Sequence, residues 1–339
     1  MARRDARAMI TVAFDARETT HMSAGVLNYS RKLRYWLPRV APDVSLRLLG
    51  GGDNFDLAEQ IGLPLALARS GAALAHFPTL FVPRFIPLPY IVTVHDLIDL
   101  HFPQFVKKQV RPYVRAVVAP VCRGARAVIT DDEATVADLE RFLGVDPARV
   151  RVIALGNDAG TEPVVPARHA RPYVLYVGNR RPHKNLATLV AAWSALPAEH
   201  AVDLVLSGIP EDALRGMRGP GEIVFLGERT DDELRRWYAG AAIYAHPALR
   251  EGFGLPLLEA MRCGAAVVAS RPATPHVLAP YAQLVDALDV AGWSAALRGL
   301  LDDPAAANAA GAAAQRGTAE LTWERTARLT ADVYRAVAG

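Results

Sequence analysis

The segment LREGFGLPLLEAMRCG, residues 249–264, carries the chain's most chemically loaded spacing. Two acids, Glu251 and Glu259, flank Gly252, Phe253, Gly254, Leu255 and Pro256. Glycines at 252 and 254 let a backbone turn tightly and approach a ligand closely. Pro256 suits the first turn of a helix, where a missing N–H costs nothing. A helix starting there would aim free N–H groups and the positive end of its dipole at the loop, a ready site for phosphate. Glu251 would lie in the loop and Glu259 about one turn into the helix, so both carboxylates could border one pocket. One could accept hydrogen bonds from sugar hydroxyls and the other from ribose hydroxyls, with a diphosphate between them. The plainer alternative is a capping acid and a solvated helix face.

A second cluster, YVGNRRPHKNL, has a strand ending at Gly178 and a basic loop, Asn179-Arg180-Arg181-Pro182-His183-Lys184. A helix begins near Asn185. Lysine occurs only at 32, 107, 108 and 184, so Lys184 stands out. Cations beside a helix start suit a phosphate and would offset charge building on a departing diphosphate. By itself such a loop is equally a solvated surface. In PYIVTVHDLI, His95 follows a strand. Asp96 either orients its ring or caps the next helix.

These residues need a frame. Short apolar runs at 9–16, 44–51, 73–77, 90–96, 126–130 and 149–155 read as strands, separated by helical patterns such as 25–40 and 131–144. Residues 156–172 are rich in Gly, Pro and polar residues without period, as in a linker. The pattern then restarts, with strands at 173–178, 202–208, 222–227, 242–247, 265–270 and 283–286, helices between them, and an Ala-rich surface helix within 302–317. Strands that are continuously apolar, alternating with helices, argue two parallel-sheet, Rossmann-like α/β domains. Ligands of such sheets sit beyond the carboxyl ends of the strands. The expected divisions are 8–157, a linker at 158–172, a second domain at 173–322, and an amphipathic helix at 323–339.

Composition narrows the classes. The chain has 339 residues, 51% hydrophobic and 22% charged, with net charge +3, which is too weakly basic to argue for nucleic acid. Two cysteines show no disulfide or metal spacing. No apolar run reaches the roughly 18 residues that span a bilayer. The basic start lacks a signal-peptide core, so a cytoplasmic protein is expected. There is no P-loop and no G-x-G-x-x-G after a strand, which disfavours a nicotinamide dehydrogenase. Lys107, Lys108, Arg111 and Arg115 share one helical stripe, and Val110, Val114 and Val118 another. The bland reading is a solvated face over a buried one. The sharper is a patch at 107–126 for anionic lipid headgroups, at the inner face of the cell membrane, or for a phosphorylated acceptor.

In HPALREGFGLPLLEAMRCGAAVV the chain resembles the E-x7-E segment of the family 4 glycosyltransferases, retaining enzymes of GT-B fold. YVGNRRPHKNL resembles that family's phosphate loop, PYIVTVHDLI its strand ending in His-Asp, and VITDDEATVADLERFLGVDPARVRVIALG the segment closing its acceptor domain. The likeness runs through nearly the whole chain in the family's order.

It implies two domains facing a central cleft with the C-terminal helix packing back on the N-terminal domain, and transfer of a hexose-type sugar from a nucleotide diphosphate donor, GDP- or UDP-linked, to a hydroxyl of a glycan, lipid-linked or natural-product acceptor. Glu251 would contact the donor sugar and steady charge near its anomeric centre, Glu259 would hold the ribose, and Lys184 with Arg180 or Arg181 would bind the diphosphate after Gly178. Amides of Phe253, Gly254 and Leu255 would help hold phosphate or sugar. His95 would touch the donor sugar from the opposite domain, and Gly25, in the loop after the first strand, would allow close approach. No metal or other cofactor is implied. The chain departs from the family at His183, where Arg is common, at Ala248 and Asp131, where Ser is common, and at Pro275-His276, where Pro-Glu is common. The alternatives are a catalytically silent nucleotide-sugar-binding subunit and another GT-B enzyme such as an epimerase.

Overall fold

The computed structural model describes residues 9–339 except 20, 21, 51, 52, 54–57, 107, 109, 159–161, 163 and 215. Lys107, residue 8 and parts of the expected 44–51 strand and 158–172 linker therefore lie outside the described residues. The chain forms two compact units, one running to Gly156 and including Leu321–Gly339, the other Asn157–Glu320.

The first unit is built on a parallel sheet of β1 (Ile10–Asp15), β2 (Val44–Leu49), β3 (Leu74–Phe77), β4 (Tyr90–Thr93), β5 (Ala127–Thr130) and β6 (Val150–Val152), in the order β2-β1-β3-β4-β5-β6. Its helices are α1 (Ala24–Val40), α2 (Leu63–Ala68), α3 (Ile98–His101), α4 (Val110–Tyr113), α5 (Ala119–Gly124), α6 (Glu133–Asp138) and the last helix of the chain. Inner strands such as LAHF and AVIT are buried at every position, while edge strand β2 alternates toward solvent. That contrast is why the inner strands read as unbroken apolar runs. The stretch expected as one helix over 131–144 is α6 followed by a wider turn, Leu139–Leu143, ended by Gly144 at φ 66°.

The second unit repeats the plan with β7 (Tyr173–Val177), β8 (Asp203–Ser207), β9 (Ile223–Gly227), β10 (Ile243–His246), β11 (Val267–Ser270) and β12 (Gln283–Val285), in the order β12-β11-β10-β7-β8-β9. Its helices are α7 (Leu186–Ser194), α8 (Asp231–Gly240), α9 (Leu255–Arg262), α10 (Val290–Asp302) and α11 (Pro304–Gly317). Trp193 and Trp293 are fully buried in its core. Part of the expected linker is tied into this unit: Ala167 N–H donates to Arg236 O at 2.8 Å, and His169 pairs with buried Asp203 at 2.7 Å.

The final helix, α12 (Trp323–Ala338), packs on α1 in the first unit. Arg335 pairs with Asp43 at 2.6 Å, and Thr326 Oγ1 donates to Ala154 O at 2.9 Å. Gly156 marks the close passage of the two segments, since a Cβ there would meet the backbone of Thr322 and Trp323 at 2.0 Å.

Candidate active site

In the second unit the chain leaves β7 for β8 and β9 on one side, then returns to β10 on the other side of β7. Loops after neighbouring strands that part in this way open a crevice at their carboxyl ends. The loops in question are 178–185 and 247–254, the two singled out by their residues. They are stitched together. Leu249 N–H donates to His183 O at 2.7 Å, and the Asn185 side-chain amide donates to Pro247 O at 2.9 Å and Ala287 O at 2.7 Å. Asn185 adopts φ 54°, a left-handed conformation that Asn tolerates better than most residues. Thr188 Oγ1 holds its side-chain oxygen at 2.8 Å.

The stitching brings Lys184 Nζ onto Glu251 Oε1 in a direct ion pair, with side chains only 18% and 9% exposed. His246 Nε2 lies 3.4 Å from the same oxygen, and Tyr244 Oη lies 3.3 Å from His246 Nδ1. Burial would push the Glu251 carboxyl upward, but Lys184 and His246 outweigh it and hold the group down at about 2. Gly254 precedes α9 at φ 73° as a cap without a side chain. Its carbonyl accepts from Leu257 N–H at 2.8 Å and Leu258 N–H at 3.3 Å. Pro256 has no N–H to give. Among the described residues the amides of Phe253, Gly254 and Leu255 donate to no backbone carbonyl, and Gly254 and Leu255 stand at the helix start, where an anion is favoured. A Cβ on Gly254 would sit 3.8 Å from Glu251 Cγ, which places this helix start beside the ion pair.

Glu259 lies in the second turn of α9 in a different setting. Tyr238 Oη donates to it at 3.1 Å and Asn157 Nδ2 at 3.4 Å. Burial raises its carboxyl to about 7, against the smaller downward pull of Tyr238 and Asn157. One acid is held ionised by a cation, while its partner sits near neutrality. Such a split assigns two carboxylates to two tasks.

Other expected residues fall elsewhere. Arg180 points to the surface, 3.8 Å from Asp212, and Arg181 is exposed. His183 is buried at 8% exposure and its carbonyl serves the loop stitch. Gly178 donates its N–H to Ser207 O at 3.1 Å and lies so near Gly208 that a Cβ there would meet Gly178 O at 2.4 Å. Gly25 is not in the loop after β1. It belongs to the first turn of α1, because Ser23 caps the helix by accepting from Val26 N–H at 3.4 Å.

In the first unit, His95 follows β4 and its Nδ1 lies 2.7 Å from Asp131 Oδ2, at the end of β5. The partner is thus not Asp96, which accepts from Ile98 N–H at 3.0 Å at the start of α3. Asp131, His246, Asn185 and Tyr238 are the site residues that motif reading missed. A buried acid directly after an apolar strand was the one available signal for Asp131. Along 107–126, Lys108, Arg111 and Arg115 are exposed while Val118 is buried, and Arg111, Arg115 and Arg123 line a groove of about 440 Å³ with Leu100, Val114 and Phe142. Among the described residues no helix is long and apolar enough to cross a membrane, and no group of three or more His, Cys, Asp or Glu could hold a metal ion.

Two parallel-sheet domains of this topology, with a phosphate-suited helix start at the switch point of the second, define a glycosyltransferase of GT-B fold. Residues 11–161 match the model described as Glycosyltransferase Family 4 and residues 171–303 that described as Glycosyl transferases group 1, so the chain belongs to glycosyltransferase family 4. It is 28% identical over 281 residues to the O-antigen chain mannosyltransferase B of Escherichia coli, covering 77% of this chain and 73% of that protein. It is 31% identical over 225 residues to the MMP alpha-(1->4)-mannosyltransferase of Mycolicibacterium hassiacum, covering 63% and 55%. The serotype-specific mannosyltransferase WbdA of Escherichia coli is 32% identical over 48% of this chain, which spans only 21% of that longer protein. A sucrose-phosphate synthase from Thermosynechococcus elongatus shares the fold at TM-score 0.73 and 20% identity, over 96% of this chain and 98% of that one.

Proposed function

We propose that the protein is a retaining hexosyltransferase using a nucleotide diphosphate sugar, GDP- or UDP-linked, and that mannose is the first sugar to test. The observation that carries this reading is the Lys184–Glu251 pair beside the amide-lined start of α9. The mannosyltransferase relatives support the choice of sugar. As the bond from the anomeric carbon to the β-phosphate oxygen breaks, negative charge builds on the phosphate. Lys184 and the amides of Phe253, Gly254 and Leu255 offset it, the kind of preorganised stabilisation that contributes most to such reactions. Glu251, kept ionised, accepts from donor-sugar hydroxyls and steadies the anomeric centre. Glu259 accepts from the ribose. The acceptor hydroxyl attacks the face the leaving group departs from, and its proton goes to a phosphate oxygen, so no side-chain base is assigned.

With Lys184 and the helix start supplying positive charge, the reaction proceeds without a divalent metal, and a chelator leaves turnover unchanged. The acceptor is a glycan, lipid-linked or small-molecule hydroxyl. The basic stripe of 108–126 brings the protein to the anionic inner face of the cell membrane from the cytoplasm. A thermal-shift panel of nucleoside diphosphates and their sugars tests the donor. A ligand at about 100 times its dissociation constant stabilises by about 2.7 kcal/mol. Binding without turnover across donors and acceptors would instead make the protein a silent sugar-nucleotide-binding subunit.

A further inference from the structure

Strand β10 is buried at every position, yet it carries two polar rings, Tyr244 and His246. Residues two apart on a strand face the same way, and these rings meet, with Tyr244 Oη 3.3 Å from His246 Nδ1. The other nitrogen, Nε2, lies 3.4 Å from Glu251 Oε1, the oxygen that also takes Lys184. Among the described residues it bonds nothing else. A Cβ on Gly254 would lie 3.5 Å from it, so the ring borders the start of α9. Apolar side chains would fill a buried parallel strand at no polar cost. Here a polar pair takes their place and leads to Glu251.

A carboxylate only accepts, so the nitrogen facing it carries a proton. Nδ1 then accepts from the Tyr244 hydroxyl or, in a charged ring, donates to it. Nε2 donates in both cases, whatever the ring's charge. The 3.4 Å contact is long, and hydrogen bonds at such sites tighten as substrate binds.

Lys184 has two calls on it. It pairs with Glu251, and in the transfer reaction it offsets charge on the departing diphosphate. Burial alone would raise the Glu251 carboxyl, so a Lys184 drawn to phosphate leaves a buried carboxylate short of its partner. We propose that His246 is a positioning residue, keeping Glu251 Oε1 in place when Lys184 turns to the donor's diphosphate, with Oε2 left for the sugar hydroxyls. This inference rests on the glycosyltransferase reading of the site. The titratable and charged groups around Glu251 are Lys184, His246, Tyr176 on β7 and Tyr244 on β10, with Glu259 beyond Tyr244. Burial pushes both phenols up and Glu251 adds to the effect, so both stay protonated. The Tyr176 hydroxyl donates to Asn179 O at 3.1 Å. That leaves Lys184 and His246 to answer the carboxylate.

The test follows kcat and KM against pH on the full chain, with GDP-mannose first and then the other GDP- and UDP-sugars. Three variants separate the ring nitrogens. The amide nitrogen of glutamine falls near Nε2, that of asparagine near Nδ1, and leucine keeps neither. His246→Leu lowers kcat at pH 7 about tenfold, with donor KM within about threefold of wild type. The acid limb of kcat rises by at least about one pH unit, because Glu251 in the donor complex now takes a proton more readily. His246→Gln restores most of both, and His246→Asn behaves as His246→Leu. A ring that only filled the core would lower the unfolding midpoint and leave the limb in place. Should His246→Leu not fold, His246→Asn against His246→Gln makes the same comparison. A folded His246→Leu protein with wild-type kcat and acid limb, or His246→Asn restoring both as well as His246→Gln, overturns the proposal. Should the wild type turn over no donor at all, the transferase reading fails and the proposal falls with it. Should the wild type turn over donor and the variants match it, the proposal falls alone.

Discussion

Replacing Lys184 by alanine should damage the protein in two separable ways, both readable from the ion pair. Glu251 sits at about 2 in place of 4.5 because Lys184 and His246 overcome the burial that would raise it. At about 1.36 kcal/mol per tenfold change in proton affinity, that preference for the ionised form amounts to roughly 3 kcal/mol. A folded-state value below the unfolded one gives stability that is present above pH 4.5 and lost as the pH falls through about 2. Without Lys184, burial dominates, Glu251 moves up, and the sign reverses. The variant should therefore lose most stability against the wild type at neutral pH, and the gap should narrow toward pH 4, where the variant's carboxyl is protonated. Stranding one partner of a fully buried pair costs about 3–5 kcal/mol; partial exposure here points to the lower end. Turnover should fall by about 10²–10³, the loss that follows removal of one aligned charge stabiliser. Denaturant midpoints from pH 4 to 8, alongside single-turnover donor cleavage, give both numbers. A stability gap independent of pH, or near-wild-type cleavage by a folded Lys184→Ala protein that binds donor normally, would refute the reasoning.

Glu259, raised to about 7, contributes stability that is present below 4.5 and lost as pH rises through 7. Ribose hydroxyls donating to it favour the ionised form, so nucleoside diphosphate binding at pH 7 should release a fraction of a proton; calorimetry in buffers of different ionisation enthalpy would show it. Asn185→Ala removes two carbonyl partners and puts a Cβ-bearing residue without a compensating side chain at φ 54°. It should cost about 1–3 kcal/mol in thermal unfolding and raise the donor KM by loosening the loop stitch. Turnover in EDTA should equal turnover in added magnesium.

Much of this was legible in the chain because parallel sheets bury their strands on both faces and so write continuous apolar runs. The Lys184 and Glu251 loops were legible because Gly and Pro punctuate a helix start and Lys is scarce. What escaped has a common cause. Asp131 and His95 are 36 residues apart and meet only because β4 and β5 are neighbours, so local spacing offered Asp96 instead. Asn185 works through a left-handed backbone that no periodicity reports. Gly25 was placed a turn too early although Ser23 stood in the capping position before the apolar pattern. Arg180 and Arg181 look alike in sequence to any phosphate-binding cation, and only burial separates them from Lys184.

The most direct test of the central claim is nucleoside diphosphate release by the purified protein and its Glu251→Ala variant, with mannosyl donors first and product anomeric configuration read by NMR. The account predicts release by the wild type, a product of the donor's own configuration, and loss of at least about 10² in turnover for the variant. Inverted product, or a variant that cleaves donor as fast as the wild type, would contradict it.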